Sequence, residues 1–243
     1  MGVKRILAMA VLAAALSGGA MAQETTQPPI DPAAAPVDPA TVTTLPDGAA
    51  QPVEPATIND PAPAPAAPQW VGPEVKLETS MGDIVIVLDM EGAPKTAKQF
   101  LTLVKGKHYN GAAVYRIEPG FVIQFGDLDA KLDYRKPKTG NVPLETENNR
   151  HTRGAIALAR AEEPGSGQST VYIDLSENTG LGATPGAPPN TTGYAVFGHV
   201  VQGMDIVDAI AAVELAPPGE KHPFPGKLPK VAVVIKKATV VKE

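Results

Sequence analysis

Two polar side chains stand out in the stretch VYRIEPGFVIQFGD, Val114 to Asp127: Arg116 and Gln124. They sit in two short apolar runs that flank Glu118-Pro119-Gly120, where a half-buried strand pair usually stays apolar. A three-residue hairpin loop at Glu118-Pro119-Gly120, with Gly120 left-handed, accounts for the Pro-Gly pair. That register sets Ile117 opposite Phe121, Arg116 opposite Val122 and Val114 opposite Gln124. Side chains alternate with period two, so Arg116, Val122 and Gln124 share one face while Ile117 and Phe125 point to the other. A two-residue Pro-Gly loop would separate Arg116 from Gln124. The pattern reads as a shallow groove that joins a guanidinium, a carboxamide and apolar neighbours. It reads equally as an edge-strand Arg paired with a surface acid, and spacing alone leaves both open.

Other chemistry has no visible residues. The chain has no Cys, so it offers neither a thiol nucleophile nor a disulfide. The four His, at 108, 151, 199 and 222, lack the spacing of a metal site. No nucleophile elbow, phosphate loop or dinucleotide fingerprint occurs. The segment EEPGSGQS, 162–169, has glycines but no following Lys-Ser/Thr pair, which makes it a surface loop. The expectation is no cofactor and no metal.

The elements that must position Arg116 and Gln124 lie in residues 74–243. VKLETSMGDIVIVLD reads as two strands joined near Met81-Gly82. APKTAKQFLTLVKGKHY reads as a helix, with Pro94 in the first turn, an apolar stripe of Ala97, Phe100, Leu101 and Val104, and a stop at Gly106. Further strands are expected at Ala155–Ala159 and Val171–Leu175. YAVFGHVVQGMDIVDAIAAVE gives a strand and then a short helix that buries Ile206, Val207 and Ile210. KVAVVIKKATVVK closes the chain as one or two strands. Many strands with two separate helices point to a closed antiparallel barrel or sandwich. Leu128 to Arg153 and Thr179 to Thr192 are expected to be long loops, mobile or functional.

The first 73 residues are of a different kind. Residues 1–22 carry Lys4 and Arg5, an apolar run from Ile6 to Leu16 and Ala20-Met21-Ala22, the pattern of a cleaved signal peptide. The apolar run is too short for a mature membrane span. Residues 23–73 hold half of the 26 prolines, six acids and no Lys or Arg. Such a segment buries too little apolar surface to offset its chain entropy, so it is expected to be a disordered spacer rich in polyproline II. Its contour reaches about 150 Å. Of the net charge of −5, the spacer holds −6 and Lys4 and Arg5 supply +2, which leaves residues 74–243 at about −1. Without a basic run, nucleic acid is not an expected partner.

The stretch YRIEPGFVIQFGD resembles the signature of cyclophilins, the peptidyl-prolyl cis-trans isomerases. The resemblance extends over most of residues 75–241 through TSMGDIVIVLD, APKTAKQFLTLVKGKHYNGAAVYRI, HTRGAIALARA and YAVFGHVVQGMDIVDAI, in the family's order. It implies a mainly β fold: a closed eight-stranded antiparallel barrel capped by two helices, with a substrate groove on the outer side. By position it makes Arg116 the catalytic arginine and Gln124 its companion. It places Phe121, Val122, Ala159, Arg160, Thr170, Tyr172, Leu181 and Tyr194 along the substrate. Arg160 stands where many members have Asn, and Tyr172 where an aromatic, usually Phe, is found. Thr170 replaces a usual Gln, and Gly180 a usual Trp or Phe. The last departure implies weak cyclosporin binding.

The implied reaction suits the residues. Peptide-bond rotation costs roughly 18–20 kcal/mol because resonance is broken. No bond is made, so no acid, base, nucleophile or metal is needed. A guanidinium that donates to the prolyl nitrogen as it regains its lone pair stabilises the twisted amide. The resulting expectation is an exported, periplasmic or secreted, monomeric isomerase that acts on proline-containing polypeptides during folding. The alternative is a cyclophilin-like module that binds proline segments or acts as a chaperone with little or no turnover; Thr170 and Gly180 motivate it.

Overall fold

The computed structural model describes residues 71–147, 150–218 and 224–243. The expected signal peptide, and the spacer up to residue 70, lie outside the described residues. Eight strands close into a barrel: β1 Glu74–Thr79, β2 Asp83–Leu88, β3 Ala112–Glu118, β4 Val122–Asp129, β5 Ala155–Leu158, β6 Val171–Asp174, β7 Ala195–Gln202 and β8 Val233–Lys242. The order around the barrel is β1-β2-β7-β5-β6-β4-β3-β8, and every pair is antiparallel. The last expected strand is thus a single β8, paired with both β1 and β3. Closure leaves no sheet edge, so the backbone donors and acceptors of the strands are paired around the ring.

Two helices pack on the barrel, α1 Pro94–Lys105 and α2 Met204–Ala211. Pro94 opens α1, where a missing N–H costs no hydrogen bond. Ala93 offers no side-chain cap, and the Glu145 carboxylate from the long loop takes that role. It accepts from Lys95 N at 3.2 Å, Thr96 N at 2.9 Å and Thr96 Oγ1 at 2.8 Å. A carboxylate there satisfies orphan N–H groups at the positive end of the helix. The buried stripe of α1 is Thr96, Ala97, Phe100, Leu103 and Val104; Leu101, expected in it, is only partly buried. The 3.6-residue pitch brings Leu103 round to the side of Phe100 and Thr96. In α2, Val207 and Ile210 are buried and Ile206 is partly so.

The apolar residues fall into two groups. One fills the barrel and the helix contacts, with Leu77, Ile86, Phe100, Ile117, Ile123, Phe125, Ile156 and Phe197 among its members. The other is smaller and separate: Val122, Ala155, Ala157, Ala159, Tyr172, Leu181 and Val196, with Phe121 and Tyr194 packed against it. Along β4, Ile123 and Phe125 join the first group and Val122 the second, as strand alternation requires. The two long loops are tied together where Thr146 N donates to Asn190 Oδ1 at 2.8 Å.

Candidate active site

The hairpin that carries Arg116 turns one residue later than the sequence suggests. Glu118 pairs with Val122, Ile117 with Ile123 and Arg116 with Gln124, so the loop is Pro119-Gly120-Phe121. Phe121 N donates to Glu118 O at 2.9 Å, and Gly120 has φ +74°. Pro119 at the second position and a left-handed Gly120 at the third are the demands of a type II turn, and this turn sets the register. The loop still has three residues, so Arg116 and Gln124 share a face as expected and now stand directly opposite each other.

Beyond Arg116 the ladder slips. Val114 pairs with Phe125 and Arg116 with Gln124, which leaves Tyr115 as an extra residue in a bulge. Val114 faces the barrel interior, and the bulge lets Tyr115 reach the side of Gln124. Arg116 Nη1 donates to Gln124 Oε1 at 3.2 Å, and Gln124 Nε2 donates to the Tyr115 hydroxyl at 3.0 Å. Gln124 is wholly buried, with its oxygen and its nitrogen both bonded, so its orientation is fixed by its two neighbours.

Arg116 is 6 % exposed. Burial pulls its pKa below the ordinary arginine value, and Glu118, 3.7 Å from Nη2, pulls it back. Arginine stays charged after such a shift, so the result is a cation held in a low-dielectric setting, where its field is strong. Burial, and then the Asp127 charge, push the Tyr115 phenol well above its ordinary value, so it stays protonated.

The residues expected to line the substrate come together in part. Phe121, Val122, Ala159, Tyr172, Leu181 and Tyr194 form the separate apolar cluster, with Phe121 and Tyr194 at its half-exposed rim. Tyr172 and Tyr194 meet edge to face, with ring centroids 5.9 Å apart. Thr170 is buried beside Tyr115, and its carbonyl accepts from Ala159 N at 2.9 Å. Arg160 does a different job from a free donor. Its Nε donates to Gly193 O at 2.8 Å, and its Nη1 to Ala161 O and Glu162 O at 2.9 and 2.8 Å. Its guanidinium also lies 5.1 Å from the Tyr194 ring centre, so it braces Tyr194. Gly180 sits in the short 3₁₀ turn Thr179–Leu181, and a Cβ built on it meets nothing within 4 Å.

A second layer behind the cluster was not evident from the sequence. His151 Nδ1 lies 3.0 Å from Asp174 Oδ2, with both side chains fully buried, and its Nε2 lies 3.2 Å from Tyr194 O. The ring therefore spans a carboxylate at one nitrogen and a backbone carbonyl at the other. Burial raises the pKa of Asp174, and hydrogen bonds from His151 and Asn178 pull it back. Asn178 Nδ2 donates both to Asp174 Oδ1 at 2.7 Å and to Phe121 O at 2.9 Å. The group pins Phe121 and Tyr194, one from each side of the cluster. Phe224 was also missed: its ring centre is 4.8 Å from the Arg116 guanidinium carbon.

The family model "Cyclophilin type peptidyl-prolyl cis-trans isomerase/CLD" matches residues 74–240. A peptidyl-prolyl cis-trans isomerase of Acinetobacter baylyi is 36% identical over 163 residues, 66% of this chain and 83% of that protein. Peptidyl-prolyl cis-trans isomerase B of Escherichia coli is 34% identical over 169 residues, 68% of this chain and 98% of that protein. Among solved structures, the Cryptosporidium parvum cyclophilin type isomerase aligns with TM-score 0.54 at 19% identity, over 70% of this chain and 99% of its own. Cyclophilin AquaCyp293 of Hirschia baltica aligns with TM-score 0.55 at 21% identity, over 69% and 73%. The two structures share the barrel, and the family model runs from the start of β1 into β8 and takes in both helices. The chain belongs to the cyclophilin-type peptidyl-prolyl cis-trans isomerases.

Proposed function

We propose that this isomerase acts on X-Pro bonds of polypeptides during the folding of exported proteins, with Arg116 as the group that stabilises the twisted amide. The observation that carries this reading is the buried Arg116–Gln124 pair beside the Val122–Tyr172–Leu181 cluster. The apolar cluster takes the proline ring. Arg116 donates to the prolyl nitrogen as that nitrogen turns pyramidal and becomes an acceptor. Gln124 anchors Nη1 and so fixes where the donor sits. A planar amide nitrogen is a poor acceptor, so this hydrogen bond gains strength only toward the transition state. Phe121, Ala159, Thr170 and Tyr194 complete the walls, and Arg160 acts through Tyr194.

Export is proposed from residues 1–22, and a tethering role from the acidic, proline-rich residues 23–73. The Cryptosporidium parvum structure was solved in the presence of the dipeptide Ala-Pro, which makes an Ala-Pro peptide the natural probe. Wild type is expected to accelerate its isomerisation, and Arg116→Ala to lose most of that acceleration. Equal rates for both, near the uncatalysed rate, would defeat the mechanism. Peptide binding without turnover would favour a binding module, the reading that the open space at Gly180 keeps in view.

A further inference from the structure

We infer that Phe224 is a positioning residue for Arg116, carried to it by a strap that this chain builds from a second Pro-Gly turn. The inference rests on the reading of Arg116 as the donor. The described part of the strap, 224–230, precedes β8. Phe224-Pro225-Gly226-Lys227 repeats the pattern of Glu118-Pro119-Gly120-Phe121: Lys227 N donates to Phe224 O at 3.1 Å, and Gly226 has φ +71°. Proline at the second position and a left-handed glycine at the third make this another type II turn. The two turns abut. Ile117 N donates to Lys227 O at 2.7 Å, and Lys227 Nζ donates to Glu118 Oε1 at 2.5 Å. The base of the strap is closed by Ala216 N to Leu228 O at 2.8 Å and by the bridge of Leu215 with Pro229.

Docked in this way, the first residue of the turn lands on the catalytic pair. The Phe224 ring lies 4.8 Å from the Arg116 guanidinium carbon and runs near-parallel to the Tyr115 ring, at 6.3 Å and 17°. One ring therefore covers the cation and the phenol that anchors its partner Gln124. A guanidinium against an aromatic face is attracted by the ring quadrupole and held flat. Its Nη1 donates to Gln124 Oε1, and its Nε is buried with no hydrogen-bond partner among the described residues. The ring supplies what the hydrogen bonds leave open, the orientation of the guanidinium plane, and it keeps water off Nε.

The test compares the full-length chain with Phe224→Ala, Phe224→Leu and Phe224→Tyr. Two quantities are read: kcat and KM for an Ala-Pro peptide, and the arginine side-chain NMR signal of Arg116 Nε–H, assigned with Arg116→Lys. Phe224→Ala is expected to lower kcat about tenfold, the equivalent of one cation–π contact of ordinary strength, with KM nearly unchanged. Its Nε–H signal exchanges faster with water. Phe224→Tyr restores both, and Phe224→Leu restores the exchange protection but not kcat. Wild-type kcat in Phe224→Ala would overturn the inference, as would equal losses in all three variants, which is the mark of a packing residue only. The NMR arm separates this inference from the functional reading. If Arg116→Lys and Arg116→Ala keep full activity, the role of Arg116 fails, whereas a loosened guanidinium in Phe224→Ala still shows the ring holding it.

Discussion

Arg116 stands directly opposite Gln124 across the β3–β4 pair, and its Nη1 donates to Gln124 Oε1 at 3.2 Å, with both side chains buried. Gln124→Ala removes that acceptor and the amide that donates to the Tyr115 hydroxyl. Leaving buried polar groups unpaired costs about 1–3 kcal/mol. Urea unfolding should show a loss of that size, and kcat should fall about tenfold or more as the guanidinium loses its direction. A variant with normal stability and normal kcat would mean that Gln124 is a bystander.

Tyr172→Phe should be neutral or stabilising, against the usual direction. The Tyr172 hydroxyl is fully buried and has no hydrogen-bond partner among the described residues. Removing an unsatisfied buried hydroxyl relieves a desolvation cost of about 1–3 kcal/mol, offset by the small void it leaves. Denaturant midpoints at constant slope decide this, and a loss above about 1 kcal/mol would reveal a partner for that hydroxyl. Tyr172→Ala should cost about 3–5 kcal/mol.

Gly180→Phe should be tolerated. A Cβ at this position meets no atom within 4 Å, and the backbone there is not left-handed. Stability should stay within about 0.5 kcal/mol. An added ring beside Leu181 extends the apolar wall, so KM for a proline peptide should fall severalfold while kcat holds. Unchanged KM would show that substrate does not reach this side of the cluster.

His108 should titrate near pH 4. Burial, and then the positive charge of Arg135, lower its pKa from 6.5 to about 4. Its neutral form is favoured on folding. Between about pH 6.5 and 4 the unfolded chain therefore binds a proton that the folded chain refuses. The stabilisation is complete above pH 6.5, is lost as pH falls through this window, and is flat below pH 4. Solvent screening of this half-buried ring reduces the effect to about 1–2 kcal/mol. Imidazole NMR shifts give the midpoint directly, and a value near 6.5 would contradict the burial. His108→Gln should flatten the acid limb of the stability curve.

The strands and both helices were legible because each depends on local periodicity and on turn chemistry, as in Asp83–Leu88 and in Pro94 at the start of α1. Periodicity left barrel and sandwich both open, and the closed barrel was implied by the family resemblance. The shared face of Arg116 and Gln124 was legible too, since it depends only on the parity of the loop. The register was not. It was fixed by which residue of Glu118-Pro119-Gly120-Phe121 takes the left-handed position relative to the turn hydrogen bond. Tyr115 escaped notice because a bulge breaks the alternation that sequence reading relies on. The His151–Asp174–Asn178 group escaped because its members are joined through space from a loop, a strand end and a turn. Phe224 had a readable signal, a Phe-Pro-Gly-Lys turn that mirrors Glu-Pro-Gly-Phe, but nothing in a one-dimensional pattern says that the two turns touch.

On the proposed mechanism Arg116 acts on the twisted amide and not on the bound ground state. The most direct measurement is exchange NMR of an Ala-Pro peptide at saturation with wild type and Arg116→Ala, giving the bound-state interconversion rate and the affinity from the same titration. Interconversion is expected to fall about a hundredfold or more in Arg116→Ala while Kd changes by less than about threefold. A weakened Kd with an unchanged bound-state rate would contradict it and make Arg116 a binding residue only.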